Sequence, residues 1–234
     1  MCGRYSLLAS DPAKLRARFR ISEQFDLRPS FNIAPGSRVL AITNDQRERP
    51  HAELLRWGLV PEWARSARTS FHMINARAET LSERPAYRPL FKRFRCLILA
   101  DGFYEWQHRD GRATKQPFHI TRSDGEVFAM AGLWTSWHPG QTDELRSCTI
   151  ITAAANAAVA TIHDRMPVIL CASDETTWLN NATSAPALTA MLSGLPARLL
   201  VTRPVGPAVN DVRHDGPECL MDPSPPSQAS LAPL

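Results

Sequence analysis

The chain has 234 residues, 44% hydrophobic and 21% charged, the balance of a globular protein able to build a sizeable core. No apolar run approaches the roughly 20 residues that span a bilayer, and the N-terminus lacks the long apolar stretch of a secretory leader, so a soluble intracellular protein is expected. A formal charge of +4 is compatible with an anionic partner without pointing to one.

Along the chain, Ser10-Asp11-Pro12 predicts a helix start, with Leu15 and Phe19 giving the next stretch an apolar side. A polar loop then ends in Phe31-Asn32-Ile33-Ala34-Pro35-Gly36. Short strands are predicted at 38–43, 52–59, 95–100, 103–108, 117–121, 127–134 and 147–152. Asp110-Gly111 and Asp124-Gly125 read as hairpin-type turns between such runs. Helices are predicted at 154–162, 173–181 with Ser173 as cap, and 185–192, followed by a last strand at 197–205. Strands linked mostly by turns argue an α+β fold, a single domain of mainly antiparallel strands with flanking helices, over residues 2–222. The Pro/Ser/Ala-rich end, 223–234, is expected to be a disordered tail.

Five cysteines, Cys2, Cys96, Cys148, Cys171 and Cys219, are widely spaced with no C-x-x-C pair, which excludes the usual zinc patterns and argues against a disulfide framework. Cys96, Cys148 and Cys171 sit in apolar runs and read as core residues. Arg84, Arg88, Lys92, Arg93 and Arg95 form a basic cluster bent by Pro85 and Pro89, either a solvated face or a phosphate contact.

Cys2 is chemically distinct. Once Met1 is removed, it presents an α-amine and a thiol on adjacent carbons, a pair found nowhere else in a chain. The amine condenses with an aldehyde to a Schiff base, and the thiol can then close a five-membered thiazolidine ring. An α-amine of pKa about 8 is roughly a tenth unprotonated at neutral pH, so it needs little activation. Glu105 lies between Tyr104 and Trp106, surroundings that raise a carboxyl pKa and suit a general acid. His163 stands close to a cation, Arg165, and is a candidate proton shuttle. Asn75, Arg77 and Glu79 alternate with apolar residues and are predicted to point to one side of an extended segment.

Together these stretches resemble the SRAP family, the SOS-response-associated peptidase-like proteins that shield abasic sites in DNA. The match is carried by Met1–Tyr5, Phe31–Gly36, Arg56–Trp63, Asn75-Ala76-Arg77, Lys115–Phe118, Ala100–Trp106, Ala131–Trp134, Ile162–Pro167 and Asn210…Glu218, in order, over residues 2 to about 220. The resemblance implies an SRAP-like α+β domain whose cleft holds Cys2, Asn75, Glu105 and His163. Cys2 would form the thiazolidine with the ring-opened sugar, Glu105 would donate a proton to open it, His163 would move protons, and Asn75 would orient the terminus. It further implies strand contacts from Arg4, Arg77, Arg165 and the Thr152 hydroxyl, with Arg88 a looser match, and Pro35 and Trp63 beside the lesion. Where some members carry a second aromatic after the Trp63 position, this chain has Ala64. Trp57 and Trp134, inside apolar strands, read as core.

The implied partner is single-stranded DNA containing abasic sites, bound by a cytoplasmic monomer that joins the nucleoid on damage, with no membrane, metal or other cofactor. Two alternatives stand beside it: a thiol peptidase or amidohydrolase pairing Cys2 with His163, with self-removal of Met1 one reading of the family's name, and a plain single-strand binder with no covalent step. A zinc deaminase is disfavoured by the missing P-C-x-x-C, and glycine-rich nucleotide loops are absent.

Overall fold

The computed structural model describes residues 2–9, 11–45, 47–108 and 114–223. In chain order they form β1 (Arg4–Leu7), α1 (Pro12–Phe19), β2 (Ser30–Ile33), β3 (Arg38–Asn44), β4 (Pro50–Trp57), β5 (Asn75–Arg77), α2 (Arg88–Arg93), β6 (Arg95–Ala100), β7 (Gly102–Gln107), β8 (Gln116–Arg122), β9 (Phe128–Trp137), β10 (Leu145–Ala154), β11 (Arg165–Pro167), α3 (Glu175–Leu179), α4 (Ala185–Met191) and β12 (Leu200–Pro204). Short 3-10 turns punctuate the loops.

One sheet runs β12-β8-β7-β1-β2, antiparallel throughout. The other runs β11-β10-β4-β3-β6-β9, with β5 added to β10, and a β9–β10 pairing closes β10-β4-β3-β6-β9 into a small barrel. Among the described strand pairs, only β4 and β5 lie parallel to their neighbour, in both cases β10. The mainly antiparallel α+β architecture expected from turn-linked strands is what forms.

β6 is buried on both faces, which explains why RCLILA reads as one unbroken run. Successive side chains alternate between two cores. Val39, Ala41, Cys96, Ile98, Phe128, Met130 and Cys148 face inward and share a cluster with Tyr5 and Phe103 of the other sheet. Leu40, Ile42, Leu97, Leu99 and Ala131 face outward, where Leu15, Phe19, Phe91, Trp178 and Leu188 from the helices cover them. The interior is narrow: a Cβ on Gly132 of β9 would lie 2.8 Å from Cys96 Sγ and 2.9 Å from Ile98 Cδ1.

The predicted start of α1 forms as read. The Asp11 carboxylate accepts the N–H groups of Ala13 and Lys14, Pro12 opens the helix, and Arg20 ends it at φ 55°. The basic cluster divides. Arg84, Arg88, Lys92 and Arg93 are exposed, whereas Arg95 is buried and turned into the helical layer. Its Nε donates to Trp178 O (2.6 Å), Nη1 to Phe91 O (2.9 Å) and Lys92 O, and Nη2 to Asn180 O (2.8 Å). One guanidinium thus satisfies carbonyls at the ends of both α2 and α3 that would otherwise lack partners.

Several expectations are corrected. Residues 154–162 are not a helix: β10 continues to Ala154, and Asn156 Oδ1 then takes the Ala158 N–H, holding the segment in tight turns. Ser173 does not cap α3, which begins at Glu175 after Asp174; the Ser173 hydroxyl donates to Asp174 instead. The Asp124-Gly125 turn forms, with Gly125 at φ 71°, but links strands of different sheets rather than a hairpin. Strand 197–205 begins at Leu200, after a 3-10 turn. Cys96 and Cys148 are core residues, while Cys171 is half-buried. Asp110-Gly111 and residues 224–234 lie outside the described residues.

Replacing Arg95 with alanine strands several buried carbonyls at once, and urea denaturation should record a loss of about 3 kcal/mol. A loss below about 1 kcal/mol would mean that water replaces the guanidinium without cost.

Candidate active site and its polar rim

The site begins with how the N-terminus is held. β1 lies between β2 and β7, pairing Tyr5 with Ile33 and Phe103, and Arg4 with Tyr104. That register carries the residues before Arg4 past Glu105, and Cys2 ends fully buried. β5 pairs with β10 beside it, Asn75 opposite Ile150, and the Asn75 Nδ2 donates to the Cys2 carbonyl at 2.8 Å. Asn75 is itself steadied from both sides: Trp57 Nε1 donates to Ile74 O (2.9 Å) and Tyr87 Oη to Asn75 O (3.4 Å). Asn75 Oδ1 is left as a buried acceptor without a partner. The Cys2 thiol donates weakly to Arg4 O at 3.8 Å, and burial, reinforced by the nearby Glu105 carboxyl, pushes its pKa far up.

Glu105 and Gln107 share one face of β7. Gln107 Nε2 donates to Thr161 O at 2.8 Å, tying down the turns that carry His163. Glu105 is 2% exposed, and burial raises its carboxyl pKa to about 7, the direction expected from its aromatic neighbours. His163 Nε2 lies 3.9 Å from Glu105 Oε2, within ion-pair range and beyond a direct hydrogen bond. Partial burial lowers the His163 pKa, favouring neutral imidazole. Its Nδ1 can accept the Arg165 N–H (3.0 Å), an arrangement that leaves the proton of the neutral ring on Nε2, facing Glu105. Asp164 Oδ1, 2.8 Å from the same Nδ1, is the acceptor for that nitrogen in the imidazolium. Both protonation states of His163 therefore find a partner.

Around this centre lies a polar rim. Thr152 of β10 pairs in register with Arg77 of β5 and with Pro167 of β11. Arg77 is exposed. Thr152 is buried, and its carbonyl and hydroxyl accept from Arg165 Nη2 at 2.6 and 3.3 Å. Arg165 also meets Glu79 in a two-pronged ion pair of 2.6 and 3.0 Å. The extended segment stops earlier than predicted: Glu79 sits on a 3-10 turn, not on the alternating strand. Trp63, 71% exposed, stands as a fin between two cavities. One, about 440 Å³, is lined by Asn75, Arg77, Arg84 and Tyr87; the other, about 350 Å³, by Pro61, Phe94 and Trp134.

Cys2, Asn75, Glu105 and His163 thus converge, and Trp63, Arg77, Thr152 and Arg165 border them. Arg4 differs: its Nη1 is engaged by Asn32 Oδ1 (2.9 Å) and Val209 O (2.8 Å). Arg88 is exposed in the first turn of α2, and Pro35 is half-buried just before Gly36, whose φ of 92° turns the chain into β3. Trp57 is buried as expected of a core residue, and Trp134 half-buried. The sequence reading missed Gln107, Tyr87 and Asp164. Only Asp164, beside the singled-out histidine, carried a local signal. Among the described residues, no group of three or more His, Cys, Asp or Glu could hold a metal, and no helix is long and apolar enough to cross a membrane.

The SOS response associated peptidase (SRAP) family matches residues 1–212. The abasic site processing protein YoqW of Bacillus subtilis (strain 168) is 39% identical over 224 residues, covering 94% of this chain and 99% of that protein. The abasic site processing protein YedK of Escherichia coli (strain K12) is 31% identical over 228 residues, with the same coverage of 94% and 99%. A crystal structure of a protein from Bacteroides thetaiotaomicron superimposes with a TM-score of 0.81 at 25% identity, covering 94% of this chain and 99% of that one.

The buried carboxyl has a measurable signature. Native Glu105 keeps its proton up to about pH 7, whereas an unfolded glutamate releases it near about 4.3. Between those values the folded state holds the extra proton, so Glu105 makes stability fall as pH rises through that window and level off above it. Denaturation from pH 4 to 8 should show the wild type losing stability relative to Glu105→Gln across this range. Parallel curves would mean that the carboxyl titrates normally.

Proposed function

The chain belongs to the SRAP family, and from that premise we propose that it senses abasic sites in single-stranded DNA and shields them by a covalent crosslink through Cys2. The observation that carries the reading is the clamp of Asn75 on the Cys2 carbonyl, which immobilises the one residue able to offer an amine and a thiol together. The names of YoqW and YedK, abasic site processing proteins, support the same lesion as target.

The chemistry starts with hydrolysis of the Met1–Cys2 bond, which frees the α-amine. Glu105, protonated up to about pH 7, gives a proton to the sugar ring oxygen while the anomeric hydroxyl gives one up to neutral His163, and the ring opens to the aldehyde. The amine nitrogen adds to the aldehyde carbon, and the resulting carbinolamine leaves water behind as it becomes an iminium. The His163 imidazolium returns its proton to the departing hydroxyl, which leaves as that water. Sγ then bonds to the same carbon, its proton passing to the Glu105 carboxylate, and the thiazolidine closes with one water released overall. Asn75 Oδ1, a buried acceptor without a partner, suits an N–H of the freed amine. Arg4, Arg77, Arg88, Arg165 and the Thr152 hydroxyl act on the strand backbone, with Pro35 and Trp63 against the lesion and its neighbouring base. All four reacting groups come from one chain, which suits a monomer.

A thiol peptidase would need a thiolate at neutral pH. Burial drives the Cys2 thiol the other way, which disfavours that alternative.

A denaturing gel of the Met1-free protein with single-stranded DNA carrying one abasic site should give a shifted band. Cys2→Ala keeps the amine and loses the ring closure, so its band should vanish in the gel and return when borohydride reduces the Schiff base. A wild-type protein that binds this DNA yet gives no band with or without borohydride is a plain single-strand binder.

A further inference from the structure

Arg165, assigned above to the strand backbone, is already occupied. Both of its terminal nitrogens meet the Glu79 carboxylate, and Nη2 also reaches Thr152 O and Oγ1. The Arg165 side chain is 14% exposed and that of Glu79 52%, so the pair opens to solvent on the Glu79 side. A carboxylate meeting a guanidinium through two parallel hydrogen bonds has the same geometry as a phosphate doing so. Exposed Arg77, whose charge also acts on Glu79, stands beside it. The Glu79 carboxylate thus takes up the hydrogen bonds of Arg165 that a phosphate could use.

We propose that Glu79 is a specificity-determining residue: its carboxylate takes a phosphate's place on Arg165, and the strand must displace it. The inference rests on the reading of Arg165 as a strand contact. Phosphate contacts supply affinity without regard to sequence or damage. A carboxylate that competes for one of them weakens binding to every strand alike. Intact strands, which have only such contacts, are then released, while abasic strands are retained by the covalent bond. Glu79 enforces selectivity for the lesion without touching it.

The test compares wild type with Glu79→Gln and Glu79→Ala by fluorescence anisotropy on an intact single-stranded oligonucleotide, with thermal midpoints recorded to show that both variants fold. Both should bind roughly two- to fivefold tighter, as expected for an ion pair open to solvent. The gain should disappear when either is combined with Arg165→Gln. Unchanged or weaker binding overturns the inference and makes Glu79 a support for Arg165. A denaturing gel with an abasic strand separates the two levels. A wild type that crosslinks, beside variants that bind no tighter, sinks the role of Glu79 alone. A wild type that neither binds nor crosslinks removes the function and this inference with it.

Discussion

The site depends on one backbone pairing, the lodging of β1 between β2 and β7. A chain terminus ordinarily frays, because it has neighbours on one side only. Here Tyr5 is fully buried and packs on Trp57 with ring centroids 5.4 Å apart, while Ser6 Oγ donates to Asp101 at 2.7 Å. These contacts fix the strand that follows Cys2, so Cys2 enters the core as a set position. With a loose terminus, the Asn75 clamp and the nearby Glu105 would have nothing constant to act upon.

Burial then sets the electrostatics. The environment that raises the Cys2 thiol also keeps Glu105 protonated to about pH 7, because a desolvated site disfavours each ionised form. His163, closer to solvent, is pushed toward neutrality and keeps one partner for each of its protonation states. The centre therefore rests with its carboxyl protonated and its imidazole uncharged. Charge lies around it, at Arg77, Glu79 and Arg165 of the rim and at Asp164 beside the imidazole.

Local features of the sequence were legible. The Asp11-Pro12 start of α1, the twice-buried run of β6 and the apolar flanks of Glu105 each declare their structure within a few residues. What escaped detection depends on distant partners. β11 has three residues and is a strand only because it pairs with β10, and the end of β5 at Arg77, short of the extended reading through Glu79, has no local mark. Arg95 looked like one more member of a basic cluster, since nothing nearby shows that two helix ends converge on it. The segment 154–162 had helical composition, yet the extension of β10 and the Asn156 side chain outweigh propensity there. The convergence of Cys2, Asn75, Glu105 and His163 was expected through the family resemblance, whereas the Glu79–Arg165 pair, 86 residues apart, was not.

The pairing of β1 with β7 also has a bearing on when the protein becomes reactive. Ser6 meets Gly102 across 96 positions, and Asn75 reaches Cys2 across 73. Contacts so distant in sequence form late, because closing long loops costs entropy before any contact is gained. A chain still emerging from synthesis carries Cys2 as an ordinary exposed residue, with no buried acid beside it and no rim of arginines. The surroundings of Cys2 are thus tied to completion of the fold, and a stalled or locally melted molecule keeps the residue but loses the buried carboxyl, the Asn75 clamp and the arginines around it.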